Sequence, residues 1–135
     1  MPSLLSYGDQ AFWVSNGTKD LLYEAVLEMA RRSDLEAHKG LQEEGRLVGC
    51  YGVSGMGFEL EAFEECLAGK AHFKDVVAQH FQVIHEMCGG HEVCVHTMTK
   101  VFNWIWFLLD GGQCNDSSGK HPALHEMDPA PSLGR

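Results

Sequence analysis

The sequence predicts an α+β domain in which three to four helices pack with a small, antiparallel sheet or hairpin. Three observations predict it. Apolar residues recur at helical spacing over about 19–32 and 71–88, a short apolar run at 11–14 and an alternating one at 91–97 read as strands, and glycines punctuate the chain at 69, 89–90 and 111–112. At 135 residues, with 44% hydrophobic and 21% charged, the chain has the size and composition of one globular domain with a buried core.

Residues 11–14, AFWV, form a short apolar and aromatic run bounded by polar residues, and read as a strand. The turn SNGT follows, where Asn16 or Thr18 can cap the next helix. That helix, about 19–32, places Leu22, Val26 and Met29 on one face, flanked by Leu21 and Ala25. Arg31 and Arg32 sit where cations favour the C-terminal dipole. Residues 33–46 are polar, a frayed helix or surface loop. LVGCYGVSGMGF then carries four glycines in twelve residues, a strand broken by turns or an irregular connection.

A helix over 59–68 turns Leu60, Phe63, Cys66 and Leu67 inward. A longer one over 71–88 carries the stripe Phe73, Val76, Val77, Phe81, Ile84 and Met87 and ends at Gly89-Gly90. HEVCVHT alternates and reads as a strand. MTKVFNWIWFLLD is apolar on nearly every side; its length favours a buried helix over a strand. The domain is expected to occupy 1–112, with 113–135, poor in large apolar residues and rich in proline, as a disordered tail.

The formal charge is -9, from 19 Asp and Glu against 10 Lys and Arg. Direct nucleic-acid binding needs a basic surface, so it is set aside, as is an anionic membrane. A basic protein partner is the natural complement. No signal peptide is legible at the start and no apolar run approaches the roughly 20 residues of a membrane helix. Cys50, Cys66, Cys88, Cys94 and Cys114 are irregularly spaced, which suits a reducing cytoplasm better than a disulfide framework. The triplets at Asn16 and Asn115 are read as chance.

The densest chemistry lies in HFQVIHEMCGGHEVCVH, residues 80–96. His80 falls on the apolar stripe, and His85 lies about 140° around the helix from it, so those two do not share a metal. If 91–97 is a strand, Glu92, Cys94 and His96 share a face, and with Cys88 they form the candidate zinc set. The preferred reading is plainer, a solvated strand beside a helix end, because the spacing matches no zinc signature.

GVSGMG lacks the glycine a nucleophile elbow needs and the lysine a phosphate loop needs. Glu43 and Glu44, with Glu59, Glu61, Glu64 and Glu65, are read as an acidic docking surface rather than a catalytic pair, since no companion motif marks a cleft. Trp13, Trp104 and Trp106 are read mostly as core.

Taken together, AFWVSNGT, the amphipathic first helix, YGVSGMGFELEAFEECL and the segment ending in LLDGG resemble small acidic immunity proteins that bacteria encode beside polymorphic or contact-dependent toxins. The resemblance spans about residues 5–112. It implies a non-enzymatic role: tight binding of a cognate toxin domain of basic character, occluding its active site. Two other readings stand beside it, a small metal-binding protein or metalloenzyme at 88–96, and a homodimer that covers WIWFLL.

Overall fold

A computed structural model describes residues 3–32, 57–66 and 69–127. Glu43, Glu44, the polar stretch 33–46 and the glycine segment through Met56 lie outside the described residues.

The α+β class holds. Strand β1 (Ser3–Tyr7) turns through Gly8 into β2 (Gln10–Val14), an antiparallel hairpin in which Leu5 pairs with Phe12, both fully buried. Gly8 has φ 62, the left-handed conformation that a tight hairpin turn requires. A short β3 (Gly57–Glu59) pairs parallel with the other edge of β1, giving the order β2-β1-β3. The small sheet is therefore mixed, not purely antiparallel.

Helix α1 (Asn16–Arg32) buries Leu22, Ala25, Val26 and Met29, the i, i+3, i+4, i+7 positions of one face. Its cap is Ser15, one residue before Asn16 and three before Thr18, the expected candidates: the Ser15 hydroxyl accepts the Thr18 amide at 3.1 Å. The Asn16 side chain instead accepts a hydrogen bond from the Ser3 hydroxyl, tying the helix start to β1.

Helix α2 (Leu60–Cys66) buries Leu60 and Phe63, and α3 (Lys70–Val77) buries Phe73, Val76 and Val77. The single helix expected over 71–88 is two, because α4 (His80–Met87) restarts after a break at Ala78–Gln79. At the break, His80 Nδ1 lies 2.9 Å from the Val77 carbonyl oxygen, the acceptor that the Phe81 amide would take in a continuous helix. The restart rotates the following turn. Val83 joins Ile84 in the core, while Phe81, expected on the stripe, is 63% exposed. Five helices thus stand among the described residues.

The last of them, α5 (Glu92–Leu109), replaces the expected strand at 91–97 and absorbs the ambiguous segment after it. Val93 and Val95 alternate, but extending an existing helix by one turn avoids the cost of a new nucleus, and a lone strand here has no neighbour among the described strands. Met98, Val101, Phe102, Trp104, Ile105, Leu108 and Leu109 are buried, so the chain covers most of WIWFLL with its own elements. Helix α5 packs against α1, α3 and α4, and α1 also lies on β1. No helix among the described residues is long and apolar enough to cross a membrane.

The expected boundary at 112 is too early. Gln10 Oε1 accepts the amides of Cys114 (2.7 Å) and Asn115 (3.0 Å), and Asn115 Oδ1 accepts the Ala11 amide at 3.1 Å. The Trp13 amide donates to the Pro122 carbonyl at 2.8 Å, and Leu124, in a short 3-10 turn (Leu124–Glu126), is buried. The outer edge of β2 carries backbone groups that need partners, and this segment supplies them. Residues 128–135 lie outside the described residues.

Candidate functional site

Two corners and one cleft hold the side chains that sequence reasoning singled out. The acidic corner is built by the hairpin turn resting on α2. Glu61 Oε2 accepts the Gly8 amide at 2.8 Å, and Glu64 Oε1 accepts the Tyr7 hydroxyl at 3.3 Å. Glu59 stands in register with Ser6 on β1, and Glu59 and Glu65 are exposed. Asp9 is exposed in the turn beside them. Partial burial, then the Glu64 carboxylate, push the Tyr7 phenol up to about 12, so it remains a hydrogen-bond donor at neutral pH. Lys70 Nζ sits 5.8 Å from the centroid of the Tyr7 ring.

The four carboxylates expected to act alike are thereby divided. Glu61 and Glu64 hold the hairpin, while Glu59 and Glu65 face outward. Such a corner can receive the ammonium or guanidinium groups of a partner.

The second corner joins α4 to α5 through Gly89 and Gly90, with φ 60 and 80. Cys88 and Cys94 are joined by a disulfide across it, their Cα atoms 5.7 Å apart. The candidate zinc set Cys88, Glu92, Cys94 and His96 was drawn on a strand over 91–97, and that strand is corrected to a helix. The set's sulfurs are bonded to each other, and the helical geometry of 92–96 scatters the rest. At about 100° per residue, Glu92 and His96 lie some 40° apart while Cys94 points to the far side. Glu92 and His96 instead border a shallow hollow with His85. Among the described residues no group of three or more His, Cys, Asp or Glu side chains is assembled that could hold a metal ion.

His80 enters the core as expected and is 4% exposed. Its ring lies 5.3 Å from that of Phe102, centroid to centroid. Because the Val77 carbonyl only accepts, Nδ1 must carry the proton, which leaves Nε2 without a partner among the described residues. Burial pushes the His80 pKa down, the Val77 bond opposing it.

The cleft was missed. It measures about 490 Å³ and is bordered by Trp13, Asn16, Thr18, Thr97, Leu124 and His125. Trp13, read as core, is 36% exposed here, whereas Trp104 is buried. The cleft joins three segments distant in the chain, one of them within the expected tail, so no local pattern could reveal it. Trp13, alternating with buried Phe12 and Val14 along β2, was the one available signal.

No family model, curated protein or solved structure matches the chain.

Proposed function

We propose that this chain is a non-enzymatic binding protein that neutralises a basic toxin domain by tight association, as the resemblance to immunity proteins implies. The observation that supports this reading is the way the fold distributes charge. Most cations of the described residues are engaged by the protein's own groups. Lys19 is buried with its ammonium 3.9 Å from Asp20, Arg32 bonds Glu28 and Glu86, and Lys100 donates to the Met127 carbonyl at 3.2 Å. Lys74 pairs with Asp110 and lies over the Trp106 ring, and Lys70 lies over Tyr7. Asp9, Glu59, Glu65, Asp75 and Glu92 are exposed. These exposed carboxylates, on a chain of net charge -9, would steer a basic partner into encounter.

Co-expression with the product of a neighbouring gene, followed by size-exclusion chromatography, tests the reading. A 1:1 complex is expected, whose association slows about tenfold or more as salt rises from low to physiological strength. Absence of co-elution at low salt would overturn it. A cytoplasmic location belongs to the same proposal, and there the Cys88–Cys94 bond would face a reducing thiol pool.

A further inference from the structure

We infer that Cys88 and Cys94 form a reversible thiol–disulfide pair in which Cys94 meets hydroperoxides and Cys88 is the buried thiol that closes the bond. Two features of the corner separate the roles. Cys88 is 6% exposed and belongs to the core at the C-terminal end of α4, while Cys94 is only partly buried. Cys94 also sits in the first turn of the 18-residue α5, whose unpaired amides favour a thiolate; Cys88 follows the last turn of α4, whose carbonyls disfavour one. Glu92, also in that first turn, lies about 160° around the helix from Cys94.

The corner holds its shape by bonds that do not involve sulfur. The Gly90 amide donates to the His85 carbonyl at 3.4 Å, His91 to Cys88 at 3.1 Å, and Val95 to His91 at 3.0 Å. Reduction therefore leaves the two thiols facing each other across the diglycine turn, ready to rejoin. In the first step the Cys94 thiolate attacks one peroxide oxygen, forming a sulfenic acid and releasing hydroxide or alkoxide. The Cys88 sulfur then displaces the sulfenic oxygen as water, forming the disulfide. A dithiol reverses the change by exchange, itself ending as a disulfide.

The test uses the full chain, reduced with dithiothreitol, freed of reductant and exposed to limiting hydrogen peroxide. Peptide mass spectrometry should find the 88–94 disulfide in the wild type, and a dimedone adduct on Cys94 in C88A. Cys114, partly buried and with its thiol pushed up by burial, is the internal control within the same molecules. If C88A fails to fold, alkylation of freshly reduced wild type decides, with Cys94 modified about tenfold faster than Cys88 or Cys114. Modification of Cys88 first, or of Cys94 no faster than Cys114, would overturn the inference.

Discussion

The acidic corner and the cysteine–histidine corner are equally dense in reactive residue types, yet the fold uses them in opposite ways. At the acidic corner Glu61 and Glu64 hold the hairpin, yet Glu59, Glu61 and Glu65 are all exposed, so most of the sequence signal survives as surface. At the other corner the sulfurs bond each other, His80 enters the core, and the remaining donors separate around a helix. The difference teaches that a cluster in sequence becomes a shared surface only where the backbone turns its members the same way. Helix α5 turns Cys94 from Glu92 and His96. The hairpin turn, by contrast, brings Tyr7 and Gly8 to Glu64 and Glu61 across more than fifty residues.

The largest effect is expected at the cysteine corner. Reduction, or the change Cys94→Ser, should cost about 2 kcal/mol of stability, the loop-closure value for so short a ring. Urea unfolding with and without reductant measures it, and an unchanged midpoint would mean that the bond is dispensable to the fold.

His80 gives the next effect. Its folded pKa lies below the unfolded value of 6.5, so above pH 6.5 it is neutral in both states and imposes no penalty. As pH falls below 6.5, the unfolded chain takes up a proton that the buried ring resists. Stability should then decline by up to about 1.4 kcal/mol per pH unit until the folded ring titrates. His80→Gln should flatten this acid limb relative to wild type, and urea midpoints from pH 7 to 5 would show a parallel loss if another group is responsible.

The acidic corner should respond less. Glu64→Gln removes the charge that helps hold the Tyr7 proton, so the phenolate should appear at lower pH than the wild type's value of about 12, read by ultraviolet titration. Glu61→Ala leaves the Gly8 amide to water and should cost about 1 kcal/mol, given how exposed the bond is. Smallest of all, the pair Glu59→Lys and Glu65→Lys should leave stability within about 0.5 kcal/mol. The same pair should slow partner association about tenfold. A thermal melt and a stopped-flow rate separate the two outcomes, and unchanged association would move the docking surface elsewhere.

Much of the fold was legible. The face of α1, the inward turn of Leu60 and Phe63, the apolar run ending at Leu109 and the burial of His80 all follow from spacing. The break at Ala78–Gln79 was not legible, because no proline or glycine marks it and its accompaniment is a side-chain bond to a carbonyl. Nor was β1, whose SLLSY is too short and mixed to stand out from its neighbours.

What the sequence by itself determined is the acidic balance, the amphipathic stripes and the glycine stops, since these depend on residue type and on neighbours three or four positions away. What only the tertiary structure decided is which polar groups face one another. Residues 113–123 became the cover of β2 because its outer amides needed acceptors. Cys88 met Cys94 because two glycines turned the chain back upon a helix that the alternating valines had disguised as a strand. Local periodicity is set by the covalent chain, whereas partnership between distant groups is set by the packing that brings them within bonding distance.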